Sequence, residues 1–299
     1  MKIFDWFHLT YWSIGHIASI ILPILFVFIC FLILRLQSPR AQKGIILAIM
    51  IINVIQHIFK AYVYYPMYHG KFDVANSFFC NICGGLILLS PFIFVGRSKW
   101  LKDSLFFLGI LSPFISLGFI TVTYGISIFS VEYIRYFICH TLLLATSALP
   151  VLVGLHTVNV KSCWVVGFVF FFVEGLVFAD EMLITASRHN WNWNEAYQLV
   201  YNHNRLFICH SATSKVFDHT FLEGLQIKYI IDDGTYTYIP ILYSAPFIYP
   251  FMVVVSWVLF KLCYYTKIDG YYLAEKNNEY YETDIYNWLC QVRLIQLLW

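Results

Sequence analysis

Charge is scarce in this sequence. Only 12% of its 299 residues are Asp, Glu, Lys or Arg, against 60% hydrophobic and 20% aromatic, with a mean hydropathy of +0.69. That balance excludes an ordinary soluble domain and indicates a polytopic membrane protein. The 19 basic and 17 acidic residues nearly cancel, to +2, and no stretch concentrates the positive ones. Neutralising phosphates needs a concentrated basic face, so nucleic acid is not expected as a partner. The eight cysteines show no framework spacing, and most (Cys30, Cys80, Cys83, Cys139, Cys163, Cys263) fall inside apolar runs. That pattern argues against a disulfide-stapled ectodomain. The short core and small-residue exit of a cleavable leader are also missing, so the first helix is expected to remain in the protein. No internal repeat is visible.

What the sequence has is long apolar runs. At roughly 20 residues per span, seven segments are predicted: 12–34, 44–65, 77–96, 101–123, 134–157, 161–181 and 238–262. The runs are continuous rather than alternating, which excludes a barrel, and an open sheet could not satisfy its backbone in lipid. The expected fold is all-α, a polytopic membrane helix bundle of about seven transmembrane helices. Residues 1–268 form one transmembrane domain with a long outer loop over 182–237, and 269–299 form a cytoplasmic tail with an interfacial helix at Trp288–Trp299. Loop lysines and arginines set the orientation. Arg35, Arg40, Lys43, Arg97, Lys99, Lys102, Lys161, Lys261 and Lys267 fall on one side, and Lys2, Lys71 and Arg135 on the other. The N-terminus is thus expected outside and the C-terminus inside. The 182–237 loop carries Trp191-Asn192-Trp193-Asn194 and Asp232-Asp233-Gly234 and is long enough for a lid or an interfacial cap.

Orientation places the intramembrane polar residues by depth, at about 1.5 Å of rise per residue. Cys80, Asn81 and Cys83 open segment 3. His140 lies roughly 9 Å below the start of segment 5 by the same rise. Gln56, His57 and Lys60 fall in the outer third of segment 2, His16 in segment 1, and Glu174, Asp180 and Glu181 in segment 6. Polar groups in hydrocarbon pair with one another or line a wet cavity, so an outward-facing polar pocket is expected. Lys60, Arg135, Asp180 and Glu181 are equally able to snorkel to the interface; His140 and Cys83 lie deeper. The inner halves offer almost nothing comparable.

Three chemistries fit Cys80, Cys83 and His140. A thiolate activated by an imidazole is a nucleophile for acyl transfer. The C-x-x-C pair is also the pattern of a redox dithiol, and with His57 and His140 it supplies four candidate ligands for zinc.

Phe78-Phe79-Cys80-Asn81-Ile82-Cys83, the run Tyr133-Ile134-Arg135-Tyr136-Phe137-Ile138-Cys139-His140, and Asn204-Arg205-Leu206-Phe207 with Phe217-Asp218 resemble motifs of the YwaF-like integral membrane family, the transmembrane protein 164 family. Its members carry Leu-Pro-Leu-His-Leu-Cys at the start of the third helix and a phenylalanine-rich run ending Ser-His before the fifth. Asn81 stands where the family has histidine, and the proline is absent. The resemblance implies a cysteine-dependent acyltransferase acting on phospholipids through an acyl-thioester, with Cys83 as nucleophile and His140 as base. Cys80, Asn81, His57, Lys60, Glu174 and Asn204 are the expected pocket residues. Membrane lipids are the expected acyl donor and acceptor, in the cell membrane, with no cofactor and no metal. The competing class is a seven-helix receptor or transporter without enzymatic activity. The short inner loops speak against a receptor, and the lack of a repeat or of facing broken helices speaks against a transporter.

Overall fold

The computed structural model describes residues 8–60, 78–79, 81–118, 123–196, 227–231, 234–238, 249–258 and 261. Helix starts follow directly from the sequence. Ser13, Ser38, Asn81 and Ser130 each sit extended just before an apolar run, and each side chain accepts a hydrogen bond from a first-turn N–H, satisfying one of the orphan donors there. They open α1 (Ile14–Leu34), α2 (Pro39–Ile58), α3 (Ile82–Val95) and α5 (Val131–Leu152). α4 spans Lys99–Gly118, and α6 runs Cys163–Arg188 after a 3-10 turn at Val160–Ser162. A two-stranded antiparallel hairpin, β1 (Ile227–Ile231) and β2 (Gly234–Tyr238), precedes α7 (Tyr249–Val258).

The chain is an all-α membrane-helix bundle, the hairpin being a small appendage to it. α1, α2, α4, α5 and α6 are long and apolar enough to cross a membrane, while α3 and α7 are shorter apolar helices. Of the seven expected spans, then, five have spanning length among the described residues. α5 is the hub. It packs against α1, α2, α3 and α4, and α6 covers α3 and α4. Most of the length of α5 is buried, whereas α1 exposes Ile21, Leu25, Phe28 and Ile29 on an apolar surface, as a lipid-facing helix should.

Small residues set the closest approaches. A Cβ on Gly85 of α3 would fall 2.5 Å from Val173 Cγ1 of α6, and one on Gly109 of α4 would overlap Ser147 of α5. Such small-residue seams let backbones pack where no hydrophobic drive exists between helices in lipid.

Several boundaries depart from the sequence expectation. Segment 3 was expected from residue 77, but α3 begins at Ile82 because Asn81 is committed to capping it. Segment 6 was expected to end at 181, but α6 continues to Arg188. Residue 238 closes β2 rather than opening a span, so the expected 182–237 loop holds seven further residues of α6 and most of a hairpin. Residues 269–299 lie outside the described residues.

Candidate functional site

Cys83 is the second residue of α3. Its thiol is buried and shares a 3.5 Å hydrogen bond with Ser116 Oγ of α4. Tyr136 of α5 donates its hydroxyl to the Ser116 carbonyl at 2.7 Å and lies within electrostatic reach of Cys83. One turn further along α5, His140 is buried, stacks obliquely on the Tyr136 ring with centroids 4.1 Å apart, and places Nδ1 2.7 Å from the Tyr136 carbonyl. A carbonyl can only accept, so Nδ1 carries the proton and a neutral ring has its lone pair on Nε2. Ser116 and Tyr136 thus tie Cys83 and His140 into one layer.

That layer is recessed. α5 has run nine residues from Val131 before reaching His140, about 13 Å at helical rise. The start of α3 is therefore inside the bundle, and the positive end of its dipole lies at Cys83. Negative charge developing at that sulfur, or on an oxygen beside it, is stabilised there.

The approach to α3 is held from two sides. His57 Nε2 of α2 donates to the Phe78 carbonyl at 2.8 Å. Asp180 of α6 accepts from Phe79 N–H at 3.1 Å. Asn81 Oδ1 accepts from Gly84 N–H at 2.8 Å. These bonds fix the turn that delivers Cys83. They also give Asp180 a role that snorkelling does not, since its carboxylate is spent on backbone.

The remaining expected residues divide. Lys60, just past α2, acts electrostatically on His140 together with His57 and Arg135. Glu174 of α6 is buried, and its Oε2 has no hydrogen-bond partner among the described residues. His16 is structural: its Nδ1 accepts from Trp12 N–H and its Nε2 donates to the Gly118 carbonyl. Cys80 and Asn204 lie outside the described residues. Among the described residues no group of three or more His, Cys, Asp or Glu side chains is placed to hold a metal ion.

The sequence profile of the TMEM164 family matches residues 11–243. The chain belongs to the TMEM164 family. No curated protein and no solved structure matches it. The family match includes α1 through α6 and the hairpin, and therefore every residue of the Cys83 layer.

One constellation was not expected. At the opposite end of the bundle Asp103, in the first turns of α4, is fully buried. His156 Nε2 lies 2.6 Å from Asp103 Oδ1, Ser162 donates its hydroxyl to Oδ2, and Asn159 N–H donates to the same oxygen at 3.4 Å. This overturns the expectation that the half of the bundle away from Cys83 is nearly devoid of polar groups. The signal was available, because a carboxylate at position 103 of an apolar run needs partners. Since Ser162 donates to the aspartate and not to the histidine, the arrangement is a clasp joining α4 to the α5–α6 connection rather than a nucleophile relay.

Proposed function

We propose that this TMEM164-family protein is an integral-membrane, lipid-active acyltransferase that acts on phospholipids through an acyl-thioester on Cys83, with His140 as its base. The observation that carries the reading is the buried layer in which the thiol and the imidazole are linked through Ser116 and Tyr136. With Nδ1–H held by a carbonyl, Nε2 takes the thiol proton, and sulfur attacks the ester carbonyl carbon of the donor phospholipid. The carbon–oxygen bond breaks as the imidazolium returns that proton to the leaving alkoxide, releasing a lysophospholipid. An acceptor hydroxyl then attacks the thioester, passing its proton to Nε2, and collapse returns the thiolate, which Nε2 reprotonates. The N-terminus of α3 stabilises the oxyanion in both halves.

The basic loops 35–43 and 97–102 are assigned to the cytoplasm of a cell membrane, with the Cys83 layer opening toward the outer face. The loop charge asymmetry supports this. Lipid profiling of cells with the protein, without it, and with Cys83→Ser tests the function. The reading predicts an acyl-chain redistribution that only the wild type produces. Indistinguishable profiles in all three contradict it.

A further inference from the structure

Two independent contacts place Glu174 at the depth of Cys83. Ser162, at the start of α6, bonds to Asp103 of α4. These two helices run in the same direction, so twelve residues further along each, Glu174 is level with Ile115, next to Ser116. By the second route, Val173 abuts Gly85, two residues beyond Cys83, and Cys83 bonds to Ser116. Both routes put Glu174 level with the thiol along the bundle, to within about one helical turn of depth.

At that depth a carboxyl oxygen lacks a hydrogen-bond donor among the described residues, and so do the hydroxyls of Ser112 on α4 and Thr141 on α5, next in sequence to His140. Each of these side chains is at least nine-tenths buried. Buried polar atoms are normally satisfied, and an unpartnered carboxyl is among the most costly to leave alone. Three of them at the depth of a candidate nucleophile suit polar atoms of a ligand. Lys60 and Arg135 act on the same layer. Their positive charge disfavours an ammonium headgroup there and leaves a hydroxyl as the donor.

We propose that Glu174 binds the hydroxyl of the acyl acceptor, its Oε2 accepting a hydrogen bond from that hydroxyl beside the Cys83 thioester. The inference rests on the acyltransferase reading and adds the residue that selects a hydroxyl-bearing lipid.

The test uses the full chain in detergent, with 1-palmitoyl lysophosphatidylcholine and its 2-deoxy analogue as probes. Wild type should bind the hydroxyl form roughly tenfold more tightly, the worth of one hydrogen bond. Glu174→Leu should bind both equally, and Glu174→Gln, which keeps an acceptor oxygen, should recover part of the preference. Melting separates this role from a structural one. Replacing an unpartnered buried carboxyl by leucine should leave Tm unchanged or raise it, while the Cys83 thioester still forms and is consumed more slowly. A preference retained by Glu174→Leu, or absent from the wild type, overturns the inference, as does a lowered Tm with loss of thioester formation. A wild type without a Cys83 thioester whose hydroxyl preference still disappears in Glu174→Leu overturns the acyltransferase reading and leaves the hydroxyl site standing.

Discussion

Gly85 of α3 lies so close to Val173 of α6 that a Cβ on the glycine would sit 2.5 Å from Val173 Cγ1. This contact seats the short helix that carries Cys83 against the long helix that carries Glu174 and Asp180. Phe79 flanks the same spot, its ring 3.4 Å from that Cβ position, so the neighbours have little room to yield.

Gly85→Ala should therefore destabilise the protein by about 1–3 kcal/mol, the usual cost of overpacking. It should also slow Cys83 acylation, because α3 is displaced. Adding Val173→Ala should recover most of both losses. Thermal unfolding and acylation rates on the two single variants and the double give the coupling, and strictly additive losses would show that the contact does not seat α3.

Asn81→Ala should cost about 1 kcal/mol through loss of the cap to Gly84 N–H, with Asn81→Asp close to wild type. The observed bond gives the asparagine a physical account: a short amide caps the helix directly. A melting temperature equal in all three proteins would remove the capping role.

Much of the bundle was legible beforehand. Five of the expected apolar runs, 12–34, 44–65, 101–123, 134–157 and 161–181, overlap the five helices of spanning length, although residues 44 and 134 miss the starts of α2 and α5 at Pro39 and Val131. What was not legible is non-local. Ser116 and Tyr136 are unremarkable inside apolar helices until the antiparallel packing of α4 on α5 brings them to Cys83 and His140. Asn81 reads as part of an apolar helix until its side chain is seen capping one. Asp103 is separated by more than fifty residues from the histidine and serine that satisfy it, and its neighbours Lys99 and Lys102 draw attention to loop charge instead.

Asp103→Ala removes the acceptor that holds His156, Ser162 and Asn159 N–H, leaving buried donors unpaired. Stability should fall by roughly 3 kcal/mol or more, read as a lower melting temperature in detergent. Acylation per folded molecule should stay near wild type, since the clasp lies at the far end of the bundle from Cys83. Selective loss of acylation at unchanged stability would move Asp103 into the functional site.

Ser98→Cys, between α3 and α4, should resist a membrane-impermeant thiol reagent applied to intact cells and react once the cells are opened. Strong labelling from outside would invert the assigned orientation and place the Cys83 layer toward the cytoplasm.

The most direct measurement is mass-spectrometric detection of an acyl group on Cys83 in the protein purified from cells. The account predicts a hydroxylamine-labile acyl-thioester on Cys83, absent in Cys83→Ser and formed more slowly in His140→Ala. Acylation unchanged by either substitution, or no thioester at Cys83 in the wild type, would contradict it.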